Sequence, residues 1–273
     1  MIGKQIKSDM RFTISAAEWN AKLAALAKVM DSKVALPIYS TFLLELKDGV
    51  LRITASDMDC SRCSTLPVMD MDGANGHNGR ICVTASFLLD SLKNLGDRPV
   101  TFEADEENLS VVIRYNNGRF DMVGFPAKDY VLPGTMEKNV QATIEVSVLN
   151  DSIGKSLYAV GNDDLRPVFC GIYFTKKGDE LQCAATNGSM LVRNTYKVEY
   201  SFLLHARAAK IVHSMTSRSD EKVQVFITDR EVAFQTGTDY FRTRLIEGRY
   251  PNYNAVIPTD SDKTAIFDRN ELL

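Results

Sequence analysis

Side chains that make and break bonds are sparse in this chain, and their spacing suits catalysis poorly. Asp57 and Asp59 sit two apart on an extended stretch, so both carboxylates share one face. With His77 they form the best candidate for a metal-dependent hydrolase, in which carboxylates hold an ion that activates water. No basic or nucleophilic partner lies near them in sequence, and such pairs are common on solvated strand ends. Cys60 and Cys63 form a C-x-x-C, but zinc needs about four ligands and no second C-x-x-C or H-x₃₋₅-H pair follows. His205 and His213, at i and i+8 on a helix, stand too far apart to chelate one ion. The phosphate-loop, dinucleotide, zincin and nucleophile-elbow patterns are all missing from the sequence. The expectation is a binding protein with no cofactor and no metal site.

Cations on helices are the more informative pattern. Lys22 and Lys28 lie on the first predicted helix, Lys93 on the second and Lys155 on the third. On the fourth, Arg207, Lys210 and Ser214 cluster beside an apolar stripe of Ala208, Ile211, Val212 and Met215. If the helices line one face, that face is basic and suits phosphates without reading base sequence.

Those helices need a frame, and the frame is β-rich. Ser15-Ala16-Ala17-Glu18 has capping-box spacing ahead of Trp19, Leu23, Leu26 and Met30. Further helices are expected over Thr84–Leu95, with Gly96 as its cap, over Ser147–Val160 and over His205–Met215. Four hairpins are expected. They join Thr41–Leu46 to Val50–Ala55, Leu109–Tyr115 to Arg119–Val123, Gly171–Thr175 to Glu180–Ala185, and Val223–Ile227 to Val232–Gln235. The order repeats in each half: strand, helix, proline-marked break, hairpin, helix, hairpin, Tyr-Pro-rich exit. Leu36-Pro37-Ile38 answers Arg166-Pro167-Val168 at an offset of 130, and Gly118-Arg119-Phe120 answers Thr238-Asp239-Tyr240 at 120. The ten-residue difference fits the Gly/Asn loop Asp70–Gly79. Ala265–Leu273 resembles Phe12–Asn20 and reads as the opening strand and first helical turn of a third repeat, which suggests a truncated chain or a fragment.

At 273 residues the chain has room for two domains with their own cores. Its net charge of −3 excludes a uniformly basic DNA-coating protein but not a local basic face. Five irregularly spaced cysteines argue against a disulfide framework and for a reducing compartment, and the N-terminus does not read as a signal peptide. A cytoplasmic protein is expected.

The residues resemble one family, the beta subunit of bacterial DNA polymerase III, the replication sliding clamp. Met10–Ile14 resembles its start, which would make 1–9 an extension or tag remnant. Leu36-Pro37-Ile38 matches a family motif, and Ala185–Leu191 resembles Ala-Thr-Asp-Gly-His-Arg-Leu. Leu245–Tyr253 through Val256-Ile257-Pro258 resembles its most specific signature. The resemblance implies an α+β fold of repeated clamp domains, each with two inner helices and outer antiparallel sheets. Here they would be 10–135 and 140–258, with 259–273 as linker and start of a third.

It also implies a non-catalytic ring of two head-to-tail subunits, three domains in each, around duplex DNA. The ring tethers the replicative DNA polymerase and is opened by an ATP-using clamp loader. Lys33 falls where the family has a DNA-touching arginine, and Arg207 on a basic channel position; Lys22, Lys93, Lys155 and Lys210 are further candidates. Phe169, Thr186, Gly188, Leu191, Pro251 and Val256 fall on walls of the family's groove for partner peptides, and Phe120 with Arg119 at the subunit seam. Asn187, Ser189, Met190 and Ala255 depart from the family's Asp, His, Arg and Arg, which makes the groove less basic and more apolar. Two alternatives stand beside this reading: a complete two-domain clamp closing as a trimer, and the Asp57/Asp59/His77 hydrolase.

Overall fold

Alternation in the first strand sets the layout of the first half. In β1 (Met10–Ser15) the side chains of Met10, Phe12 and Ile14 are buried and meet Trp19, Leu23 and Leu26 of α1 (Ala16–Ala27). Ser15 Oγ accepts the Glu18 N–H at 3.2 Å, as the capping spacing predicts. The Ser15 hydroxyl also donates to Asp97 at 2.7 Å. The computed structural model describes residues 10–30, 36–69, 78–134, 136, 140–163, 165–177, 180–196, 201–216 and 222–272. Lys33, His77, segment 1–9 and most of the Gly/Asn loop lie outside the described residues.

The first half continues with β2 (Thr41–Lys47), β3 (Val50–Ser56), β4 (Cys60–Pro67), β5 (Gly79–Thr84), α2 (Ala85–Leu92), β6 (Pro99–Ala104), β7 (Ser110–Tyr115), β8 (Gly118–Val123) and the short β9 (Phe125–Pro126). The second half repeats that order. It runs β10 (Val140–Glu145), α3 (Val146–Gly154), β11 (Gly171–Lys177), β12 (Glu180–Thr186), β13 (Leu191–Tyr196), β14 (Phe202–His205), α4 (Ala206–Thr216), β15 (Lys222–Ile227), β16 (Glu231–Thr236) and β17 (Asp239–Arg244).

Each half makes two four-stranded antiparallel arrays: β1-β6-β7-β8 and β4-β3-β2-β5 in the first, β10-β15-β16-β17 and β13-β12-β11-β14 in the second. β17 pairs with β4, fusing one array from each half, with β9 added, into a nine-stranded sheet. Each half keeps its own core. Phe12 stacks on Phe102 with Trp19 edge-on to both in one, and Phe174 stacks on Phe202 in the other.

Several expectations need correction. Helix α2 stops at Leu92, although Leu95 is buried and Gly96 takes the left-handed cap at φ +66. Helix α3 stops at Gly154, and Leu157–Ala159 forms a separate 3₁₀ turn. The offset within the last hairpin is 121 rather than 120: Gly118 pairs with Tyr115, and Asp239 with Thr236. The extra residue sits between β8 and Tyr130, where β9 intervenes. Ala265–Asp268 forms no strand, while Arg269–Leu272 takes the expected helical turn. An opening strand exists by pairing, as β1 with β6, and no described strand lies beside this segment.

Candidate nucleic-acid interface and partner groove

Helices α1 and α2 pack together, as do α3 and α4. Lys28 Nζ donates to Ser214 Oγ at 2.8 Å, which sets the end of α1 beside α4 and joins the two pairs across the halves. Lys93 and Lys210 are exposed on this layer and have no carboxylate partner among the described residues. Lys155 is exposed and paired one turn back with Asp151 at 2.6 Å.

Two of the predicted phosphate contacts are engaged elsewhere. Lys22 Nζ lies 3.1 Å from Asp239 and 3.1 Å from Ser64, across the β17–β4 junction. Asp239 also takes Arg62 Nη2 at 2.9 Å, and Arg62, with only 4% of its side chain exposed, donates to the Ala25 carbonyl at 2.9 Å. Arg207 bridges the same junction by donating to Asp57 and to the Val29 carbonyl. Lys22 and Arg207 are therefore seam residues. Sequence reading missed Arg62 and Asp239, because nothing in a polar strand such as Cys60–Pro67 marks which arginine is buried.

The Asp57/Asp59 pair does not form one carboxylate site. Asp57 Oδ1 accepts the N–H groups of Asp59 and Cys60 at 3.1 and 2.7 Å, closing a turn, while its other oxygen holds Arg207. Asp59 instead pairs with Arg244 at 3.1 Å. The described residues contain no group of three potential metal ligands. Burial pushes the Cys60 thiol up to about 11 and raises that of Cys63, so both stay protonated near neutrality.

The predicted groove residues converge from three segments. The 3₁₀ turn Pro167–Cys170 brings Phe169, over whose ring the Arg166 guanidinium lies at 5.2 Å. The turn after β12 is closed by Asn187 Oδ1, which accepts the Ser189 and Met190 N–H groups at 2.9 and 2.8 Å. Thr186 Oγ1 accepts the Gly188 N–H at 3.0 Å and donates to the Met190 carbonyl at 2.6 Å. Gly188 has φ +94, which favours glycine.

The third segment is the Tyr-Pro exit. Tyr250 and Tyr253 pack on Ala184 and Leu203, with Leu191 against them. Pro251 and Val256 stay exposed, as does Met190, so one apolar rim is uncovered. Phe120 and Arg119 stand on β8, an open sheet edge, with Phe120 stacked on Tyr115 at 5.2 Å.

No described helix is long and apolar enough to cross a membrane. Residues 10–133 match the model of the DNA polymerase III beta subunit, N-terminal domain, and residues 143–252 that of its central domain. The beta sliding clamp of Bacillus subtilis is 25% identical over 273 residues, covering 97% of this chain and 72% of that protein. That of Staphylococcus epidermidis is 25% identical, covering 91% and 68%. Among solved structures, a sliding clamp from Pseudomonas aeruginosa bound to griselimycin superposes with a TM-score of 0.89 at 22% identity, covering 96% of this chain and 72% of that one. The Bacillus subtilis clamp gives 0.85 at 24%, covering 92% and 68%. Two consecutive family domains and a matching repeat fold lead to one conclusion: the chain belongs to the DNA polymerase III beta subunit family, the sliding clamps.

Proposed function

We propose that this chain, as a non-catalytic part of the polymerase holoenzyme, closes with further clamp units into a head-to-tail ring around duplex DNA in the cytoplasm. Its own units are residues 10–135 and 140–258, and a clamp loader opens the ring. Lys93, Lys210 and Lys155 face the DNA phosphates without reading sequence. The groove of Phe169, Thr186, Gly188, Leu191, Pro251 and Val256 takes an apolar partner peptide, including that of the polymerase.

The β17–β4 seam carries this reading. Its repeat equivalents, β8 and β13, are both open edges, and an open edge is a template for another chain. The internal seam is thus a pattern for the external ones. The pattern also sorts the ring models. In the seam Tyr240 faces Cys63. By the repeat offsets of 121 and 130, Arg119 stands at the Tyr240 position and Arg193 at that of Cys63. If three two-domain copies closed on themselves, these arginines would face each other, and like charges directly opposite are destabilising. Each edge therefore meets a different clamp unit, with Phe120 at the β8 seam.

Light scattering after size exclusion tests this. A mass near 30.4 kDa is expected for the chain alone. A stable species of about three times that mass would show self-closure and overturn the edge assignment.

A further inference from the structure

On the sheet face away from α1, the segment containing Leu132, Pro133, Gly134 and Met136 crosses the β17–β4 junction and roofs a cleft of about 360 Å³. That is the size range of small-ligand sites. Three arginines line it: Arg52 of β3 and Arg62 of β4 from the first half, and Arg242 of β17 from the second. Arg242 donates to the Gly134 carbonyl and to Glu231, yet its Nε is buried with no hydrogen-bond partner among the described residues. Thr54, which is 3% exposed and lines the same cleft, has a buried hydroxyl with no partner among the described residues. Arg52 is exposed and has no carboxylate partner among the described residues; its Nη2 lies 3.5 Å from Cys63 Sγ.

Buried polar atoms without partners are rare in folded proteins, and each calls for a cause. Here three belong to residues that line one cleft, Thr54, Arg62 and Arg242, and all three can donate. Glu231 neutralises Arg242 and Asp239 neutralises Arg62, so Arg52 is the cleft's cation without a carboxylate among the described residues; burial holds the Cys63 thiol and the Tyr240 phenol neutral, so neither cancels it. Guanidinium and hydroxyl donors together match an oxygen anion. Phe226 and Met136 add apolar wall.

We propose that this cleft binds a small organic oxyanion, a carboxylate or phosphate on a compact apolar body, held by Arg52, Arg242 and Thr54. The site lies apart from both the peptide groove and the helix face. Because Arg52 and Arg242 come from different halves, occupancy ties the halves together and stabilises the folded chain by mass action.

Titration calorimetry and ligand-observed NMR on the whole chain, with phenyl phosphate, benzoate and neutral benzyl alcohol, test the proposal. One or both anions should bind and benzyl alcohol should not; the tighter anion identifies the preferred head group. Arg52→Gln, a change at an exposed position, should weaken binding about tenfold or more. Thr54→Val removes an unsatisfied hydroxyl, so the free variant should melt at or above the wild-type temperature while binding the anion several-fold more weakly. Binding of neither anion, binding equal to that of benzyl alcohol, or unchanged binding by both variants would overturn the proposal. In the last case the orphan hydroxyl is a structural defect only.

Discussion

Replacing Asp239 with alanine strikes the junction on which the two halves depend. Its carboxylate neutralises Arg62 at 2.9 Å and Lys22 at 3.1 Å. At an effective dielectric of about 20, a unit pair at that separation attracts by about 6 kcal/mol before desolvation is subtracted. Lys22 is 28% exposed on its side chain and can turn to water, so its share is small. Arg62 cannot, being 4% exposed and anchored to the Ala25 carbonyl. Breaking a buried pair by removing one partner costs about 3–5 kcal/mol, and the 18% exposure of Asp239 places this case near 3. Asp239→Asn keeps an acceptor for Arg62 and should cost about 1–2 kcal/mol. Urea unfolding is the assay. Trp19, the only tryptophan and fully buried, reports the first half, and circular dichroism reports both. Both signals should shift to lower urea, because the seam belongs to both halves. A loss under about 0.5 kcal/mol for Asp239→Ala would mean that water replaces the carboxylate and that Arg62 does not depend on it.

Further outcomes follow from other parts of the chain. Ser15→Ala removes the cap of α1 and should cost about 1 kcal/mol in urea unfolding, with no change in fold by circular dichroism. Met58 is exposed with φ +84, a conformation costly for a side-chain-bearing residue, so Met58→Gly should stabilise by about 0.5–1 kcal/mol in the same assay. Burial pushes Cys82, Cys183 and Tyr250 up to about 12, so the folded chain holds protons that the unfolded chain releases near pH 9–10. Stability from these groups should be full below pH 9 and fall between pH 9 and about 12, read as melting temperature against pH. In the assembled clamp, Lys93→Ala with Lys210→Ala should flatten the salt dependence of DNA binding by about two counterions, whereas Lys22→Ala should leave the slope unchanged and lower stability.

Much of the architecture is legible in the sequence because local chemistry and burial agree there. Trp19, Leu23 and Leu26 fall on one helical face because they meet Phe12 and Phe102, and Asp48-Gly49 marks a hairpin because both residues take positive φ. The missed strands are those whose residues are set by neighbours distant in the chain. β4 reads Cys-Ser-Arg-Cys-Ser-Thr-Leu-Pro, with little alternation, because one face carries the Arg62 ion pair and the other floors the polar cleft. β13 is a polar edge strand, and its sequence shows it. The same cause explains the cations. A lysine on a helix is identical in sequence whether it faces solvent, as Lys93 does, or reaches across to Asp239, as Lys22 does. The groove residues are named only by the resemblance to the family; local backbone chemistry accounts for the Asn187 turn and the positive φ of Gly188, not for a groove.

A ring holds DNA by topology, and retention on closed DNA tests that hold. The assembled clamp is loaded onto nicked circular plasmid and separated from free protein by gel filtration at a salt concentration that abolishes simple ionic binding. The protein should travel with the circle and be released when one restriction cut makes the DNA linear. Equal retention on circular and linear DNA, or release from both, would contradict that hold.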